Sequence, residues 1–123
     1  MVNARRQDPK PTSRNDKWVH RSILTFGDVV ARPHRFGGIA YRLGSYELGH
    51  THLDGRYDIH LARRLRDRLV RRGIAQPDVY APKSGWVTVQ PGLEEVALRL
   101  FRLARRRAIR LEGRAAPNSG VKS

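Results

Sequence analysis

The stretch GHTHLDGRYDIHL, residues 49–61, brings His50, His52 and His60 together with Asp54 and Asp58. Imidazole and carboxylate groups exchange protons near neutral pH, orient one another and ligate metal ions, so chemistry is to be sought here first. His50 and His52 alternate about Thr51, and on a β-strand both therefore point to one face. The turn at Asp54-Gly55 decides their company. As a two-residue loop it pairs Thr51 with Asp58, groups the histidines with Tyr57, Ile59 and Leu61, and turns Asp58 and His60 away. As a three-residue loop, Leu53-Asp54-Gly55, with a bulge at Gly55, it pairs His52 with Arg56 and His50 with Asp58. His50, His52, Asp58 and His60 then share one face. Burial of Ile59 and Leu61 favours the two-residue loop.

A metal centre needs three or four ligands, usually with a carboxylate or a third histidine among them. GSYELGHTH matches the start of the cupin pattern, a Gly, five residues, then His-x-His. Arg56 and Tyr57 stand where that pattern wants a Glu, and no second cupin motif follows, so no metal and no cofactor is expected. His50, His52 and Asp58 are instead the catalytic candidates, lining a small pocket. Glu47 is expected to pair with Arg42, and Asp58 with Arg56 or Arg35. Ser84, before Gly85-Trp86, lacks the surroundings of a nucleophile elbow. Neither a phosphate-binding loop nor a dinucleotide glycine pattern is present. Trp86 and Phe101 read first as core.

The elements that must position these groups follow from periodicity and turn signals. Asn15 or Asp16 caps a first helix carrying Trp18, Val19, Ile23 and Phe26, ended by Gly27. DVVARP is a short strand. A meander follows, IAYRL, YELGHTHL and RYDIHL, with Gly44-Ser45 as its first two-residue turn. That turn pairs Leu43 with Tyr46, Arg42 with Glu47 and Tyr41 with Leu48. It places Ile39, Tyr41, Leu43, Tyr46 and Leu48 on the helix-covered face, and the histidines with them. LARRLRDRLVRRG is a basic helix with a narrow stripe of Leu61, Leu65 and Leu69. The loop IAQPDVYAPKSG leads to the strand WVTVQ. A long helix then buries Leu93, Val96, Ala97, Leu100, Ala104, Ala108 and Leu111. The order α-β-β-β-β-α-β-α is that of an α+β two-layer sandwich, helices covering the apolar face of a mainly antiparallel sheet.

At 123 residues the chain is one domain. Residues 1–15 and 112–123 read as disordered tails around a folded body at 16–111. With no cysteine, disulfides and thiolate metal sites are excluded. No apolar run resembles a signal peptide or a membrane span, so a cytoplasmic chain without membrane contact is expected. Twenty-five basic residues against 11 acidic give a formal charge of +14, a surface that attracts polyanions. Since 21 of the 25 are Arg, GC-rich coding bias alone would give much of that excess.

RPHRFGG, ELGHTHLDGRYDI, LRDRLVRRG and PKSGWVTV together resemble the small bacterial luciferase-like, or luciferase-domain, proteins, across residues 28–108. The family has no single settled activity, and its name comes from a domain of fungal luciferases that oxidise a pyrone-type luciferin with O₂. The resemblance implies His34, Arg35, Glu47, His50, His52, Asp54, Asp58, Ser84 and Trp86 as matching positions. Asp78 stands where members often carry a His. Two functional readings follow. In one, His50, His52 and Asp58, with ligand-binding His34, Arg35, Glu47, Ser84 and Trp86, form a site for an unknown small molecule, oxygenase-like in chemistry. In the other, Arg63, Arg64, Arg68, Arg71, Arg72, Arg105 and Arg106 hold nucleic acid without catalysis or sequence preference. No motif decides whether there is turnover.

Overall fold

The computed structural model describes residues 14–34 and 37–115. The expectation for Arg35 and most of those for the two tails lie outside these residues. Helix α1 (Arg14–Leu24) begins ahead of the expected caps, Asn15 and Asp16, and Gly27 follows it at φ 87°. Strands β1 (Val30–Pro33), β2 (Ile39–Leu43), β3 (Tyr46–Thr51) and β4 (Tyr57–His60) come next, then helix α2 (Arg63–Arg71). A two-residue strand β5 (Gln76–Pro77) lies in the expected loop, before β6 (Trp86–Val89) and the long helix α3 (Glu94–Ala115). The fold is α+β, and among the described residues the strands form one sheet of order β1-β2-β3-β4-β6-β5, antiparallel at every pairing.

The core lies between the sheet and α3, with α1 packed beside α3. Ala97, Ala104 and Ala108 let the long helix approach closely, while Leu98, Leu100 and Phe101 fill the space it leaves. Phe101 sits edge-on to Tyr41 (5.4 Å, 76°) and to Tyr57 (6.4 Å, 83°), a favoured arrangement of aromatic quadrupoles. The Tyr41 hydroxyl lies 2.8 Å from His20 Nδ1, which satisfies a polar atom that burial would otherwise strand. Leu93, read as part of the buried stripe, precedes α3 and is exposed.

The first hairpin has the expected turn. Leu43 faces Tyr46 and Arg42 faces Glu47, but the register then shifts: Tyr41 faces Gly49 and Ala40 faces His50. Leu48 is thus an extra residue, a β-bulge. It stays in the core at 1% exposure, and every later side chain of β3 changes face. Gly49 now points at α3. A Cβ there would stand 2.9 Å from the Phe101 ring and closer still to the Asp58 carbonyl, so only glycine fits without displacement.

Candidate functional site

The histidines therefore lie on the sheet face away from α3. In the second hairpin His50 faces Asp58 and Gly49 faces Ile59, while His52 N–H donates to the Arg56 carbonyl. Gly55, at φ 95°, closes the turn by donating to the His52 carbonyl. This is the three-residue loop, so the two-residue reading and the covered position of the histidines are corrected. The burial argument behind them assumed an unbroken β3. With Leu48 bulged, Tyr57 and Ile59 stay under α3 at 0% exposure while His50, His52 and Asp58 gather on the other side.

Asp58 is the centre of that cluster. Its Oδ2 accepts from His50 Nε2 (3.1 Å) and His52 Nε2 (2.6 Å), and its Oδ1 accepts from the Thr88 hydroxyl (2.7 Å). His50 Nδ1 donates to Glu47 Oε2 at 2.7 Å. Arg42 stands 3.9 Å from Glu47, so the carboxylate serves the histidine first. Arg56 pairs with Asp54, so Asp58 lacks the Arg56 partner expected for it.

Burial disfavours charge on His50, but hydrogen bonds to Asp58 and Glu47 and the charges of both outweigh it and push its pKa up to about 9. With both nitrogens donating, His50 is a hydrogen-bond donor and not a base. Burial likewise opposes ionisation of Asp58, yet the bonds from His50, His52 and Thr88 hold its pKa well below the carboxylate range. His60 goes the other way. Burial, then the charge of Arg107, lower its pKa.

Above these groups lies a cleft of about 300 Å³, lined by His34, His50, His52, Asp58, Asp78, Tyr80, Ala81 and Trp86. His34 stacks on His50 (4.0 Å, 18°), and Trp86 tilts against His50 at 5.4 Å while His60 stacks on it (4.8 Å, 4°). Trp86 is thus a wall of the cleft and not core. The Asp78 carboxylate accepts from the Tyr80 backbone (2.8 Å) and so shapes the loop beside the cleft. Ser84 takes no place in the lining. Its hydroxyl donates to the Ala81 carbonyl (2.7 Å) and accepts from Trp86 N–H (3.1 Å). Thr88 and Tyr80 are the members that sequence reasoning missed. Thr88 alternates with Trp86 on one strand, but only the β4–β6 pairing sets it opposite Asp58.

The arginines distribute differently. Arg64, Arg68 and Arg71 border a groove on α2 with Asp67, and Arg63, Arg72 and Arg106 are exposed. Arg105 forks onto Asp28 at 2.9 and 2.7 Å, which lowers the pKa of Asp28. Arg66 donates to Asp67 and to the Pro82 carbonyl. None of the described residues lining the cleft is Arg or Lys.

Fold and site define a small α+β protein whose open sheet face carries a histidine–carboxylate cluster beneath a shallow cleft. Residues 45–104, from the first turn of the meander into α3, match the family model described as Luciferase domain. No curated protein and no solved structure matches the chain. No helix among the described residues is long and apolar enough to cross a membrane.

Proposed function

We propose that the cleft binds a small, planar organic molecule bearing a hydroxyl or enol group, and that the chemistry done on it is oxygenase-like. The observation that carries this reading is the convergence of His50, His52 and Asp58 at the floor of a cleft walled by Trp86, with Tyr80 exposed at its rim. Its volume of about 300 Å³ is at the lower end of the range for small-ligand sites. The indole wall suits a flat ring, and the buried polar floor suits an oxygen substituent. The match of residues 45–104 to the Luciferase domain model supports the choice of chemistry.

Calorimetric titration with a 4-hydroxy-2-pyrone as probe tests it. The wild type should bind, and His52→Ala and Trp86→Ala should each weaken binding at least about tenfold, the loss of one good hydrogen bond or stacking contact. Equal affinity in wild type and both variants, or none in any, would sink the reading. A second reading, sequence-independent nucleic-acid binding, rests on the grouping of Arg64, Arg68 and Arg71 along one groove of α2.

A further inference from the structure

From the donor geometry we infer that His50, His52 and Asp58 form a binding site for one divalent first-row transition-metal ion. The inference deepens the small-ligand reading, because the ion would sit on the floor of the same cleft. The three ligand atoms lie within 4.8 Å of one another. The two nitrogens stand 3.1 and 2.6 Å from Asp58 Oδ2; adjacent donors around an ion with bonds of about 2.1 Å stand about 3.0–3.4 Å apart, so His50 already fits and His52 would draw back by about half an ångström. Two imidazoles and one carboxylate on a single side of an ion leave positions open for other ligands.

The surroundings favour a cation over a mere hydrogen-bond cluster in two independent ways. First, the outer bonds hold the right atoms in place. Glu47 takes Nδ1 of His50 and Thr88 takes Oδ1 of Asp58, so an ion that displaces the protons between the histidine Nε2 atoms and Oδ2 meets those three atoms already turned toward it. Carboxylate-to-histidine and hydroxyl-to-carboxylate contacts of this kind orient metal ligands. Second, a chain of net charge +14 keeps Arg and Lys out of the described lining of this cleft while admitting Asp58 and Asp78. His34, Glu47 and His50 also approach one another, but that grouping shares His50 and would divert Glu47 from its orienting bond. His50 and Asp58 are cross-strand neighbours inside the sheet, so their spacing is set by backbone pairing. One carboxylate with two neutral imidazoles leaves a dication with a net +1. The next ligand it favours is an anionic oxygen, as an enolate or phenolate provides.

The test is titration of the full-length, chelator-treated protein with Co²⁺, followed by visible d–d absorption, and with Zn²⁺, followed by calorimetry. One equivalent should bind. His52→Ala should abolish the visible bands, and Glu47→Gln, a positioning variant, should weaken binding about 10–100-fold. Asp58→Asn should lose the ion too. Because Asp58 is buried, far-UV circular dichroism accompanies that variant, and the half-buried His52 keeps the test sound if it misfolds. Absence of saturable binding to the wild type, or undiminished binding to His52→Ala, overturns the inference. If the pyrone binds the chelated protein and Co²⁺ does not, the metal site fails and the small-ligand reading stands. If Co²⁺ binds and no pyrone does, the metal site stands and the reading of the ligand fails.

Discussion

Asp58 accepts from His50, His52 and Thr88 on a buried carboxylate, and this sets how the metal-free cluster responds to pH. His50 has its pKa raised from 6.5 to about 9, so the stability it contributes is complete below 6.5 and is lost as pH rises through 9. Asp58 is lowered from 3.8, so its contribution is present above that value and is lost as pH falls through its folded-state value. His60 is lowered from 6.5 and favours the folded state only when neutral, which confines its effect to the acid side. Between pH 7 and 9.5 the change therefore belongs mainly to His50. In chelator, the urea midpoint of the wild type should fall across that range and that of His50→Gln should stay nearly level. Parallel falls in both proteins would refute this account. Ser84, implied by family resemblance, proves to close the loop that carries Trp86, so its replacement should act through the position of that wall.

The bulge at Leu48 is the step that moves the histidines from one side of the sheet to the other, and Gly49 is the residue that permits it. Gly49→Ala should destabilise by about 1–3 kcal/mol, the usual range for overpacking a close-packed site, measured by urea denaturation. A loss below about 0.5 kcal/mol would mean that Phe101 and the β4 backbone yield more easily than their packing indicates. Much of the frame was legible beforehand. Gly44-Ser45 announced the first hairpin and its first two pairs, the spacing of Ala97, Leu100, Ala104 and Ala108 marked α3, and the element order is as read. The face of the histidines was not, because Leu48 is apolar and continues the alternation of Tyr46 through the point where pairing slips. The available signal was a glycine inside a strand, at Gly49, which marks a bulge or a close approach. Strand order was also beyond reach. Nothing local in WVTVQ says that it lies beside β4, and without that neighbour Thr88 has no visible link to Asp58.

Among the described residues, exposed arginines stand along α2 and α3, and none of them lines the cleft. If Arg63, Arg64, Arg68, Arg71 and Arg72 together neutralise phosphates, log K against log salt for duplex DNA should have a slope of about −4 to −5. Replacing Arg64, Arg68 and Arg71 by Gln should flatten that slope by about 3. No retention on DNA at about 0.15 M salt would dismiss the nucleic-acid reading. Arg105, tied to Asp28, should contribute least. The absence of Arg and Lys from the described lining of the cleft has a consequence for traffic. The far field of such a chain repels a bare dication and draws in anything negative. Cargo wrapped in small organic acids would be pulled in where the naked ion is turned back. Uptake of the naked ion should therefore quicken as added salt dims the outer field.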